Sequence, residues 1–267
     1  MMNKQTLLLD AHVHLYPQFN IENAIRAGMT NLNKLASKHR LPSGAIKMWL
    51  LTEGMDYNAF AKLSELDGFS VETKSPECLL ITDSGSKDQL YVFAGRQIVT
   101  SDKLEICALI TNNLIPDRQF NTRDTLNAVR ESGTPAALNW APGKWLFKRG
   151  KIVEQLLTET DPDNMLLSET TMRPTVWATP LLVKCAFKRG YRMLVGSDPL
   201  PFAGEEKLIG TYACYLQGEF DQENPARSLQ SLLMDENVPV HRIGKRSGPF
   251  TFAKRQYNIM KYNRKQT

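Results

Sequence analysis

Leu7-Leu8-Leu9-Asp10-Ala11-His12-Val13-His14 carries an apolar run directly into two of the chain's four histidines. A short continuous apolar run of this kind is the pattern of a strand buried on both faces, as in a parallel sheet. On a strand, residues i and i+2 share a face, so His12 and His14 are expected to converge on one point with Asp10 on the same side. Two imidazoles on a strand end are a template for a divalent transition metal, because the backbone sets their spacing before any ion arrives. Asp10 would then ligate directly or orient an imidazole from behind. The plainer alternative is a hydrogen-bonded, half-buried histidine pair. The Leu-Leu-Leu-Asp lead-in favours the metal, because it places the pair where a barrel or open parallel sheet exposes the C-terminal ends of its strands.

The rest of the chain repeats the pattern of a strand followed by a polar exit. Residues 21–41 predict a helix capped by Asn20, and residues 46–51 a second apolar strand whose exit holds Glu53. Glu53 is a third ligand or general base, or else a cap for a helix expected at about 57–66. Short strand-like runs at 70–73, 78–83, 89–99 and 104–110 predict a β-hairpin region inserted after the second β/α unit. A helix is expected at 123–132 and a strand at 136–140, which brings Asn139 to a strand end. The following loop, Ala141-Pro142-Gly143-Lys144-Trp145-Leu146-Phe147-Lys148-Arg149-Gly150, precedes a helix at 151–158. Lys144 and Arg149 there supply charge for an anion and the helix start supplies donors; packing by Trp145 with a solvated Lys148 is the alternative. The loop lacks the Gly-X-X-X-X-Gly-Lys-Ser/Thr pattern of a P-loop.

A strand at 164–167 exits through Glu169 and Arg173, which join the candidates or pair with each other. A helix at 179–189 leads to a strand at 192–196, and that strand delivers Asp198. A carboxylate on a late strand end is placed, in a barrel, beside the first strand, where it can ligate a metal or activate metal-bound water. Residues 203–240 are expected to hold a glycine-rich exit and two short helices.

A length of 267 residues suits one α/β barrel domain. Hydrophobic residues at 42% and charged residues at 23% are those of a folded globular chain. No apolar run approaches the length of a membrane span, and residues 1–6 lack the apolar region of a signal peptide, so a cytoplasmic protein is expected. Cys78, Cys107, Cys185 and Cys214 are widely spaced and are expected to be buried free thiols. The net charge of +5 sits unevenly: residues 241–267 carry eight Lys or Arg and no acid, leaving −3 for residues 1–240. Phe250, Ala253, Tyr257 and Met260 fall near helical spacing and predict a terminal helix docked by its apolar side, its cations solvated. That disfavours a nucleic-acid partner.

With these residues in place, the chain resembles the PHP (polymerase and histidinol phosphatase) family, and more distantly the amidohydrolases, along most of its length. Asp10-Ala11-His12-Val13-His14 is similar to that family's opening Asp-X-His-X-His, and Leu51-Thr52-Glu53-Gly54-Met55-Asp56 takes the place of its Thr-Asp-His-Asp. Ala94-Gly95-Arg96-Gln97-Ile98 parallels Pro-Gly-X-Glu-Ile, and Leu138-Asn139-Trp140-Ala141-Pro142-Gly143 parallels Leu-Ala-His-Pro-Gly. Gly196-Ser197-Asp198-Pro199 parallels Gly-Ser-Asp-Ala-His. The family's second-strand His, third-strand Glu, fifth-strand His and final His are Glu53 or Gly54, Gln97, Trp140 or Ala141, and Leu200 here, so most of a trinuclear site is missing.

The resemblance implies a distorted (β/α) TIM-like barrel. The residues imply a hydrolase with one divalent ion, zinc or manganese, held by His12, His14 and Asp198, with Glu53 and Glu169 as supplementary ligands. Asp198 or Glu53 is the proton acceptor. Lys144, Arg149 and Arg173, with Asn139 and Gln97, are the residues to hold a small anionic substrate, a phosphoester or an amide. A catalytically inactive PHP-like barrel that binds a ligand or protein through the same cleft is the alternative. The oligomeric state is not set by the sequence.

Overall fold

The computed structural model describes residues 4–264. The N-terminal apolar run forms β1 (Gln5–Val13), buried on both faces from Leu7 onward. It lies between β2 (Ile46–Leu51), its parallel neighbour, and β11 (Tyr212–Gly218), which pairs with it antiparallel. One seven-stranded sheet runs β12 (His241–Gly244), β11, β1, β2, β5 (Gln89–Phe93), β4 (Cys78–Asp83), β3 (Phe69–Ser75). A five-stranded sheet runs β10 (Met193–Gly196), β9 (Leu166–Thr170), β8 (Ala136–Trp140), β7 (Glu105–Leu109), β6 (Gly95–Val99).

The molecule is thus mixed α/β with two sheets, and no closed barrel of strands forms among the described residues. Antiparallel pairs at β1/β11, β6/β7 and β7/β8 depart from the all-parallel repeat of a TIM-like β/α barrel. The sheets touch at both ends instead. At one seam Glu53 bridges Arg96, and at the other the Asp198 N–H donates to the His12 carbonyl at 2.9 Å. The expected β-hairpin forms as β3/β4, and the strands after it join the main sheets: β5 pairs directly with β2 and β6 enters the five-stranded sheet.

Among the described residues, six α-helices accompany the sheets: α1 (Ile21–Lys38), α2 (Thr122–Glu131), α3 (Phe147–Glu159), α4 (Leu181–Lys188), α5 (Pro225–Met234) and α6 (Pro249–Asn263). The Asn20 side chain caps α1 by accepting the Asn23 N–H at 2.7 Å, and Ala24, Ile25, Gly28, Met29, Leu32 and Leu35 form its buried stripe. Gly28 is required there: a Cβ would lie 2.1 Å from Cζ2 of Trp49. Leu7, Leu9 and Ala11 pack with the five-stranded sheet, whereas Leu8 and Val13 pack with α1, Trp49 and Leu51. No helix among the described residues is long and apolar enough to cross a membrane.

Several expectations change. Residues 57–66 form only a single 3-10 turn at Phe60–Lys62. Helix α3 begins four residues before its expected start, so Phe147 to Gly150 belong to a helix and not to a loop. Between Gly210 and Gly218 the chain forms β11, because the alternating apolar residues there cover the open edge of β1. Cys185 is exposed, unlike the other three cysteines. In α6 the expected docking stripe faces solvent, with Phe250 90% exposed, Tyr257 62% and Met260 54%. The helix is docked instead by Arg255, which is 2% exposed.

Candidate metal centre

The register of β1 against β2 decides which side chains reach the site. Asp10 pairs with Trp49 and Val13 with Leu51, so β1 takes three steps where β2 takes two. Ala11 and His12 together oppose Leu50, which is a β-bulge. Alternation therefore reverses across it. Asp10 shares the outer side with Leu8 and Trp49, while His12 turns inward beside Cys107, whose Sγ lies 3.8 Å from His12 Nδ1. The expected shared face of Asp10 and His12 is thus corrected.

Asp10 binds backbone and no imidazole. Its carboxylate accepts the N–H of Ser197 at 2.8 Å, of Gly210 at 2.7 Å and, weakly, of His12 at 3.4 Å. It thereby joins β1, the exit of β10 and the turn before β11. Complete burial pushes its pKa up to about 7, with the Ser197, Gly210 and His12 hydrogen bonds pulling the other way.

Inside the bulge three side chains converge. His12 Nε2 and His14 Nε2 are 3.2 Å apart. Asp198 Oδ1 lies 3.6 Å from His14 Nε2 and 3.8 Å from His12 Nε2. Two nitrogens bound tetrahedrally to zinc are separated by about 3.3 Å, given metal–nitrogen bonds of about 2.0 Å, so this donor set fits one divalent ion. Among the described residues it is the one group of three or more His, Cys, Asp or Glu with this convergence. Burial, aided by His12 and opposed by Asp198, pushes His14 down to about 4, which favours the neutral imidazole that a metal needs. Tyr16 stacks on His14 with ring centroids 5.5 Å apart.

Asp198 is delivered by close backbone approach. A Cβ on Gly196 would lie 2.3 Å from the His12 nitrogen, so only glycine lets β10 reach β1 here. Asp198 itself has φ +49°, uncommon for a residue with a side chain. Burial works to raise its carboxyl, but His12, His14, Arg255 and a Thr170 hydrogen bond outweigh it and hold the pKa below the ordinary value.

The remaining candidates are placed as follows. The Glu53 carboxylate accepts the N–H groups of Ala59 and Phe60 and lies 3.7 Å from Arg96, outside the convergent group. Glu169 binds Arg173 Nε at 2.5 Å and the Tyr212 hydroxyl at 2.9 Å, also outside that group. Arg173 further donates to the Trp177 carbonyl. Lys144 pairs with Glu105, and Arg149 donates to the Gly143 carbonyl. Asn139 donates to Glu105 at 3.1 Å, leaving its Oδ1 buried and unpartnered, as is Gln97 Oε1.

Sequence reasoning passed over Cys107, Glu105, Tyr16 and Arg255. Glu105 and Cys107 alternate on β7, so the strand pattern carried their shared face. Arg255 gave no local signal, because it stands among seven other cations near the C-terminus.

No family model matches the chain, and no curated protein matches its sequence. Solved structures do. PsfC from Pseudomonas syringae is 12% identical, with 87% of this chain and 98% of that one covered and a TM-score of 0.46. A two-domain protein from Bacteroides vulgatus, containing a predicted PHP-like metal-dependent phosphoesterase, is 12% identical over 89% of this chain and 65% of that one, with a TM-score of 0.48. A lesion-specific endonuclease from Pyrococcus furiosus is 9% identical over 88% of this chain, with a TM-score of 0.51. This chain spans only 58% of that endonuclease. At 9% identity the last likeness is one of fold alone.

Proposed function

We propose that the chain is a metal-dependent hydrolase of the PHP type, acting on a small anionic substrate, a phosphoester or an amide. His12, His14 and Asp198 would hold one divalent ion, zinc or manganese, which supplies a water of lowered pKa as nucleophile. The observation that carries this reading is the convergence of two imidazole nitrogens 3.2 Å apart with a carboxylate oxygen within 3.8 Å of both. The fold shared with the endonuclease supports it at the level of architecture.

The chain's own residues divide the work. Asp198 Oδ1 faces both imidazoles, which leaves Oδ2 to accept a proton. Glu53 is tied to the Ala59 and Phe60 N–H groups and is a weaker acceptor. Lys144 is the cation for the substrate's anionic group, which would displace Glu105 from it. Asn139 Oδ1 and Gln97 Oε1, both unpartnered, would accept hydrogen bonds from the substrate.

The test is elemental analysis of protein purified without added metal or chelator, beside a His12→Ala, His14→Ala double variant. About one equivalent of zinc or manganese, lost in the double variant, supports the reading and directs a screen of phosphoesters and amides. Absence of metal even after incubation with both ions overturns it. The unpartnered Asn139 and Gln97 acceptors would then favour a catalytically inactive PHP-like fold that binds a donor-rich ligand at the same place.

A further inference from the structure

Helix α6 turns an apolar and basic side to water. Arg255 sets its rotation, because the buried guanidinium is held by Thr171, Ser247 and the Asp198 carbonyl. Phe252 and Ile259 lie half-buried on that same side, and Phe252 packs on Trp177 with ring centroids 5.3 Å apart. The opposite side therefore faces outward. It leaves Phe250 almost wholly exposed, and Tyr257 and Met260 more than half exposed.

Cations stand among these apolar side chains, on the exposed face itself. At about 3.6 residues per turn, Phe250, Lys254, Tyr257, Lys261 and Arg264 fall in one line along the helix, with Met260 beside it. Lys254, Lys261 and Arg264 are all exposed. Neither lysine forms an ion pair among the described residues. No acid occurs from His241 to Arg264, so nothing on this helix neutralises the face. An ordinary solvated helix face is polar, whereas large apolar side chains left together in water mark an interaction surface.

The pattern separates the anionic partners that such a face could meet. A helix that reads base edges presents amide or guanidinium side chains to a groove, and here Phe, Tyr and Met stand in the centre of the face. Single-stranded nucleic acid is tracked by a basic groove, and an exposed helix is convex. A bilayer interface asks for the side chains that are present. Apolar groups enter the headgroup region, while Lys and Arg lay their stems along the apolar surface and carry their charges to the lipid phosphates.

We propose that α6 docks on the surface of an anionic lipid bilayer. Phe250, Tyr257 and Met260 enter the headgroup region, and Lys254, Lys261 and Arg264 meet the anionic headgroups. The helix lies on the membrane and does not span it, in keeping with its mixed apolar and charged sequence. The proposal is independent of the metal reading, and its test uses no metal.

The full-length protein is sedimented with vesicles of phosphatidylcholine and phosphatidylserine in equal parts, beside vesicles of phosphatidylcholine alone. Capture by the mixed vesicles, released as salt is raised, is expected. The triple variant Phe250→Gln, Tyr257→Gln, Met260→Gln should weaken capture at least tenfold with the circular dichroism and melting temperature of wild type, because all three side chains are exposed. The triple variant Lys254→Gln, Lys261→Gln, Arg264→Gln should also weaken it at least tenfold. Absence of capture by the mixed vesicles would overturn the proposal, as would equal capture by both kinds of vesicle or capture that survives the apolar variant. A dimer that the apolar variant dissolves, without vesicle capture, would assign the face to a second copy of the chain. Retention of a single-stranded oligonucleotide without vesicle capture would assign it to nucleic acid; either result overturns the membrane proposal.

Discussion

Arg255 Nη2 donates to the main-chain carbonyl of Asp198 at 2.6 Å and ties the C-terminal helix to the carboxylate that faces both histidines. Its Nη1 donates to Thr171 Oγ1 at 2.7 Å and Ser247 Oγ at 3.3 Å, and Glu205 lies 2.8 Å from Nη2. A buried guanidinium thus secures a residue whose own backbone, at φ +49°, is not intrinsically favoured.

Arg255→Ala leaves Glu205 without its partner in a largely buried place, and the stability loss should be about 3 kcal/mol. Metal binding should also weaken at least tenfold, because Asp198 is released. Arg255→Lys, which keeps the charge but not the fork of donors, should fall between. Urea unfolding and metal titration read the two effects separately. Full metal affinity in Arg255→Ala would show that Asp198 needs no tether.

Burial holds the Glu53 carboxyl above its ordinary range, opposed by the Ala59 and Phe60 hydrogen bonds and by Arg96. A carboxyl raised in this way carries more protons folded than unfolded, so its contribution is fully present below the unfolded pKa. It is lost as pH rises through the folded pKa. Glu53→Gln should flatten that decline in a series of unfolding midpoints and leave the metal content equal to wild type. Loss of metal in this variant would return Glu53 to the ligand set.

Glu169→Gln removes the charge partner of Arg173, itself 3% exposed. The loss should be about 3 kcal/mol, by the general cost of breaking a buried pair, with metal content preserved. A stable but metal-free variant would instead make Glu169 a ligand.

Gly28→Ala drives a methyl group into the Trp49 ring, at 2.1 Å from Cζ2. Overpacking of a tight core costs about 1–3 kcal/mol. A lowered melting temperature and an altered near-ultraviolet circular dichroism signal of tryptophan are the expected outcomes. An unchanged spectrum would mean that α1 shifts away freely.

The sequence by itself determined most of the strands up to β10, and the pairing of His12 with His14 at the exit of the first. Continuous apolar runs announce buried strands, and a His-X-His spacing holds two imidazoles together wherever the strand points. Both are properties of the chain within a few residues. Tertiary structure alone decided the rest. The bulge that turns Asp10 outward and His12 inward exists only relative to the register of β2, and a single extra residue reverses every side chain beyond it. Glu53 and Glu169 are held by Ala59, Phe60, Arg173 and Tyr212, partners whose positions depend on how the loops fold back. Arg255 leaves its expected solvated face because Thr171, Ser247, Asp198 and Glu205, drawn from four places in the chain, supply the acceptors that make its burial favourable. A buried charge is stabilised by its complete set of partners, and no window of sequence contains that set.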